Sequence, residues 1–361
     1  MIKKVLITVG IILGLLIALG IYGASYFKPQ ANTVFDFIKE NPERSAIKLV
    51  RNGEVIAELN PDKLMPLAST VKIIIAIEYA IQAGQERINA EEEVTLVDLE
   101  KFYVANTDGG AHLAWLKRSK DKIKDEKIPL KEVAKGMIRF SSNANTEWLS
   151  QKLGLQNIND RIDSLGISDH TSIYYIVSAL FVGKERFPEL KGEEIEEKLR
   201  ALSIEEYVET TDDIHSKLLA DTSYKKDLGD LGFNIQRIWS DNLPQSTVGE
   251  YSELMRKINS KKYFDSKTHQ YLDEVMEGIM QNPKNREWLE HAGMKGGSTA
   301  FVLTKAQYAT DKKGNTTELA YFFNDLGLLE NRRLQSSMNE FELNILSNED
   351  FRIKLKNELK P

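Results

Sequence analysis

The sequence predicts an α+β fold in which an antiparallel sheet, drawn from both ends of the chain, sits beside an all-helical lobe. Three observations carry this. Strand-like runs cluster near residue 50 and in the last third, the stretch between them is long, polar and helix-forming, and the segment 69–84 is apolar on nearly every face and suited only to an interior. The 361 residues are 42% hydrophobic and 28% charged, which is globular composition with enough chain for a sizeable core. Lys+Arg number 48 against 54 Asp+Glu, a formal charge of −6 without a basic block, so no nucleic-acid partner is expected. Cysteine is absent, which excludes a disulfide framework, a thiol nucleophile, a zinc–thiolate site and a lipid-modified N-terminal cysteine. Five histidines without an HExxH pattern or close pairing point away from a metal enzyme.

In chain order, Lys3 and Lys4 precede an uncharged apolar run from Val5 to about Tyr22, near the ~20 residues a helix needs to cross a bilayer. Lysines in front place the N-terminus in the cytoplasm and the rest outside. Residues 1–30 therefore read as a membrane anchor, with a cleaved signal peptide as the alternative because Gly23 and Ser25 stand before Tyr26. Without them the body has 45 basic and 54 acidic residues, or −9. Runs 46–50 and 54–59 read as strands joined through Arg51-Asn52-Gly53, and Asn-Gly between apolar runs is a hairpin signal. Pro66-Leu67-Ala68 then leads into a buried central helix over 69–84. From Ala90 to about Asn242 the chain is mostly helical, its most charged portion, 183–230, forming an inserted block. Runs 293–298, 300–310 and 318–324 read as strands, with a turn at 311–315, and an amphipathic helix follows from about Glu330 to Leu346. This divides the chain into an N-terminal segment 1–30 and a body 31–361. Within the body, 31–85 and 290–361 make the α/β part and 86–289 the helical lobe, with an insertion at about 183–243.

The chemical anomaly is Lys72. One ammonium on an otherwise apolar buried helix costs several kcal/mol unless it is paired or neutral. Ser69 lies three residues earlier, on the same helical face. A serine beside a lysine of lowered pKa is an activated nucleophile, and a helix N-terminus offers free N–H groups to a developing oxyanion. Ser-x-x-Lys recurs at Ser45, Ser119 and Ser223. The first enters a strand, where residues three apart face opposite sides, and the other two lie in charged, surface-like stretches. Only the Ser69 copy opens a buried helix.

With two further motifs, the chain resembles the class A β-lactamase and penicillin-binding protein (serine β-lactamase–DD-peptidase) superfamily. Ser69-Thr70-Val71-Lys72 matches S-x-x-K, Ser141-Ser142-Asn143 resembles S-D-N, and Lys295-Gly296-Gly297-Ser298 looks like K-T-G, in the family's order and over roughly residue 45 to the C-terminus. Ser240-Asp241-Asn242 spells the second motif literally, but it reads as a turn entering a helix that Pro244 interrupts. Ser337-Met338-Asn339 falls within the terminal helix and reads as surface.

The resemblance implies a β-lactamase/transpeptidase-like three-layer α/β/α sandwich with a helical lobe. It implies a bacterial, extracytoplasmic serine hydrolase, membrane-anchored or secreted, that acts through acyl-Ser69 on amide bonds of cell-wall peptides or β-lactams without metal or cofactor. Lys72 would be base or proton relay, and Ser141 would pass a proton to the leaving amine, helped by Lys295. Asn143 would hold the substrate amide, and the oxyanion would lie between the N–H groups of Ser69 and Ser298. Gly297, Ser298 and Thr299 would form the substrate-binding edge. Two departures from the family pattern stand out. Gly296 replaces the Ser or Thr whose hydroxyl helps bind a substrate carboxylate, leaving Ser298 or Thr299 to supply one. Residues 174–178, where the register places the deacylating Glu, contain no acid, and Glu185 and Glu189 read as solvated helix residues, so turnover of β-lactams should be slow. The alternatives are an esterase or amidase for a substrate without a terminal carboxylate, and a catalytically degenerate cell-surface binding module. Residues 108–112 (Asp-Gly-Gly-Ala-His) read either as a cleft-mouth loop or as a glycine turn with a structural histidine.

Overall fold

The computed structural model describes residues 25–359 together with Gly20 and Gly23. Apart from Gly20, the apolar run 5–22 expected to anchor the chain lies outside these residues. Among the described residues no helix is long and apolar enough to cross a membrane.

The strands are β1 (Ser45–Arg51), β2 (Glu54–Leu59), β3 (Met65–Pro66), β4 (Glu93–Thr95), β5 (Lys127–Pro129), β6 (Gln245–Ser246), β7 (Leu289–Ser298), β8 (Leu303–Asp311) and β9 (Thr316–Phe323). The main sheet has the order β2-β1-β9-β8-β7 and is antiparallel throughout. The β1–β2 hairpin turns on Asn52 (φ +52°) and Gly53 (φ +80°), the two left-handed residues that a two-residue type I′ turn requires. Register Ala46↔Phe322 and Leu49↔Leu319 locks the first strand of the body against the last.

Strand alternation builds the two faces. Leu319, Tyr321 and Phe323 of β9 point into one core with Val34, Phe35, Ile38 and Phe341, under helices Ala31–Glu40, Leu328–Ser347 and Glu349–Glu358. Ala320 and Phe322 point the other way, into a core with Tyr251, Met255 and Ile258 of helix Val248–Asn259 and the apolar residues of helix Lys72–Gly84. These are the α/β/α layers expected. Every residue from Lys72 to Ala83 is buried, which explains why that segment carries no polar face. Helices Glu193–Ala201, Ile204–Ala220 and Phe233–Asp241 close a third core around Tyr174, Val177, Phe181 and Tyr207.

Several boundaries differ from the sequence expectation. The helix expected from 69 is a 3₁₀ turn, Ala68–Val71, followed by the α-helix from Lys72. β8 starts at Leu303 rather than 300, because Thr299 N–H bonds Val302 O in a tight turn. Helices Ala31–Glu40 and Glu349–Glu358 were not anticipated. Ser337 is fully buried rather than surface, its hydroxyl accepting from Gln30 N–H at 3.3 Å. Ser240 sits in the last turn of helix Phe233–Asp241, not in a turn entering one.

Candidate active site

A cavity of about 730 Å³ opens between β7 and the helical lobe. Ser69 lines it from the 3₁₀ turn that Ala68, at φ +44°, introduces. Thr304 of β8 pins this turn, with Oγ1 donating to Leu67 O at 2.8 Å and lying 2.7 Å from Thr70 Oγ1. In a 3₁₀ turn residues three apart eclipse, so Lys72 lies directly over Ser69. Gly297 passes so close that a Cβ there would stand 2.5 Å from Ser69 N. Only glycine allows β7 to approach the nucleophile turn this closely.

Lys72 is 1% exposed, and its Nζ donates to Ser141 O (2.8 Å) and Asn143 Oδ1 (2.8 Å) and lies 3.3 Å from Ser141 Oγ. Lys295 approaches Ser141 Oγ from β7 at 3.0 Å and also donates to Gly296 O. Burial, and then the Lys295 charge, hold the Lys72 amine well below its ordinary value, against the pull of Asp108. Burial, and then the Lys305 charge, bring Lys295 down to about 7. Ser141 ends a π-helical turn, Gly136–Phe140, in the left-handed conformation (φ +70°, ψ +24°), with helix Asn143–Leu153 starting two residues later.

Of the residues singled out from sequence, Ser69, Lys72, Ser141, Asn143, Gly297, Ser298 and Thr299 line this one cavity. Lys295 lies on the far side of Ser141, lining the neighbouring cavity that Ser141 and Gly296 share. Thr299 Oγ1 is already engaged, 2.6 Å from Ser240 Oγ and accepting from Phe301 and Val302 N–H, so of the two hydroxyls considered Ser298 is the one left. Ser240 itself is fully buried behind Thr299. The loop Asp108–Ala111 does line the mouth, and both Asp108 oxygens take backbone N–H groups, from Gly110 and His112.

Ile176, an apolar residue, lines the cavity from the 174–178 loop, and Asp108 is the one carboxylate among the lining residues. Glu185 is not solvated as expected: it pairs with Lys217 and accepts from Tyr224 Oη at 2.6 Å, away from the cleft. His291 Nε2, on β7, meets Asn259 Oδ1 at 2.9 Å.

Two neighbours were missed, and a third, His112, was read only as a possible structural histidine. Lys305 of β8, in register with Gly296, lines the cavity and pairs with Glu342 at 3.2 Å. Thr304, Gln307 and Thr310 make its strand half polar in sequence, so Lys305 did not stand out there as Lys72 did on its apolar helix. Buried Glu147, one turn after Asn143, accepts from Val177 N–H (2.9 Å), Ser178 N–H (3.1 Å) and Ser178 Oγ (2.5 Å). His112 is fully buried against Ser142. Among the described residues no cluster of three or more His, Asp or Glu could hold a metal ion.

The sequence profile of the beta-lactamase enzyme family matches residues 30–283. A comparison with curated protein sequences finds no match. Among solved structures, the fold is similar to a class A beta-lactamase from Bacteroides cellulosilyticus, with TM-score 0.54, 16% identity, and coverage of 89% of this chain and 99% of that one. A beta-lactamase from Sphaerobacter thermophilus gives TM-score 0.52 at 17% identity, covering 87% and 97%. The chromosome-encoded beta-lactamase of Vibrio parahaemolyticus gives 0.54 at 11%, covering 88% and 100%. With the profile spanning most of the chain and the sandwich matched end to end, the chain belongs to the beta-lactamase enzyme family, within the serine β-lactamase–DD-peptidase superfamily, and is a serine hydrolase of that type.

Proposed function

We propose that the protein is an extracytoplasmic hydrolase that acylates Ser69 with cell-wall peptides or β-lactam-like amides. The observation that carries this is the position of Ser141 Oγ, 3.3 Å from Lys72 Nζ and 3.0 Å from Lys295 Nζ, at the cavity Ser69 lines. A neutral Lys72 amine has two protons, which its two 2.8 Å bonds use, and one lone pair, which takes the Ser69 proton as Oγ attacks the carbonyl. Ser141 gives its proton to the leaving nitrogen, and Lys295 donates to Ser141 Oγ in its place. The N–H groups of Ser69 and Ser298 would face the oxyanion, in a gap kept open because Gly297 has no side chain. Ile176 and the bound Glu147 offer no general base for water, so a β-lactam acyl group should be long-lived. The lysine-flanked run 5–22 supports a membrane-tethered setting.

Gly296 favours a second reading, an esterase or amidase for substrates without a terminal carboxylate. A fluorescent penicillin separates the two. Labelling of the full chain, lost in Ser69→Ala, supports the first. Reaction only with p-nitrophenyl esters or a fluorophosphonate supports the second, and silence with every acylating probe leaves a binding module.

A further inference from the structure

Ser141 occupies a left-handed conformation that costs a non-glycine residue about 1–2 kcal/mol, and it persists only because its surroundings hold it. Lys72 holds one side through the Ser141 carbonyl. The other side is held through Ser142, whose Oγ caps the next helix by accepting from Asn145 N–H at 3.2 Å and donates to Asn145 Oδ1 at 3.0 Å.

The third contact of Ser142 Oγ is His112 Nδ1 at 2.9 Å. A hydroxyl has one proton and two lone pairs. The proton goes to Asn145 Oδ1, a buried oxygen whose one hydrogen-bond partner among the described residues is Ser142, and one lone pair goes to Asn145 N–H. The remaining lone pair requires Nδ1 to be a donor. At the far side of the ring Nε2 faces Glu100 Oε1 at 3.2 Å, again an acceptor, and this bond holds the Glu100 carboxyl below its usual value. Tyr103 stacks on the ring with centroids 4.8 Å apart, and Trp115 tilts against it at 5.3 Å. The His112 backbone N–H is fixed by Asp108, in the loop at the cleft mouth. One fully buried residue thus joins the cleft rim, through its backbone, to the Ser141–Asn143 turn, through its ring.

We infer that His112 is a positioning residue for acylation. Its Nδ1–H seats Ser142 and thereby fixes Ser141 and Asn143, on either side, at the distances from Lys72 that proton transfer needs. The inference rests on the acyl-Ser69 reading for its catalytic consequence, but not for its geometry.

Two substitutions split the ring's functions. In His112→Asn the amide reaches the place of Nδ1 and keeps a donor to Ser142; in His112→Gln it reaches the place of Nε2 and keeps only the Glu100 contact. Both lose the aromatic stacking equally. Losing one such bond should speed amide hydrogen exchange at Asn145 about tenfold in His112→Gln, and lower the acylation rate constant with a p-nitrophenyl ester or penicillin by about tenfold at unchanged KM, while His112→Asn stays within about twofold on both. Equal behaviour of the two variants, or a worse Asn variant, overturns the inference. If neither variant folds, ring ¹⁵N shifts of the wild-type chain decide: a protonated Nδ1 supports it and a bare Nδ1 overturns it. If exchange separates the variants but no probe acylates Ser69, the positioning stands and the acyl-Ser69 reading falls.

Discussion

Lys72 and Lys295 are both buried beside another amine, Lys72 beside Lys295 and Lys295 beside Lys305. Like charges within reach disfavour protonation, and burial already penalises the charged form, so Lys72 and Lys295 are both shifted down. Lys295→Met should therefore let the Lys72 pKa rise, moving the ascending limb of the acylation pH profile to higher pH. An unmoved limb would assign the base to another group. The same shift shapes stability. The unfolded chain keeps the Lys295 proton to about pH 10.4, whereas the folded chain gives it up near 7, so between those values the unfolded state binds more protons and stability rises with pH. One such group contributes a slope of at most about 1.4 kcal/mol per pH unit. Denaturant melts from pH 7 to 9 should show a steeper gain in wild type than in Lys295→Met, and parallel curves would contradict the assignment.

At the scale of elements, the loop that closes the cavity floor hangs from Glu147. Glu147→Ala leaves the Val177 and Ser178 amides, both buried, without their acceptor, at a cost of about 1–3 kcal/mol each. Amide exchange at 177–178 should accelerate sharply while the β7–β8 ladder keeps its protection; an unchanged loop would show that packing against helices 193–241 alone holds it. This contact illustrates what the sequence conceals. The hairpin was legible because Asn-Gly has a fixed conformational meaning, and the Ser69–Lys72 turn because a lysine breaks an apolar run. Ser141 and Lys295 were legible through motif spacing. Glu147 was not, since a carboxylate bonding the backbone of an irregular loop thirty residues away has no periodicity and asks nothing of the loop's side chains. His112 was only half legible: its glycine-rich approach was visible, but its partner lies thirty residues on in a different element. Helix Glu349–Glu358 went unseen because its buried residues are few, Phe351 and Leu355 standing in a charged sequence.

At the scale of the molecule, a body of charge −9 behind an apolar run should behave differently with and without that run. The full chain is expected in the membrane fraction of an expressing bacterium, released by detergent, and a chain beginning at residue 31 in the soluble fraction. Release of the full chain by salt or alkali alone would count against an anchor. The sheet adds a constraint of timing. β1 is flanked by β2 and β9, and β9 alone connects that hairpin to β8 and β7. Pairing across some 270 residues of intervening chain demands that a large loop close before the core can form, which makes folding slow. A ribosome must therefore finish nearly the whole polypeptide before the first two strands find their neighbour. Until then the N-terminal half lacks the strand that locks it into the sheet, which suits a chain exported as proposed above.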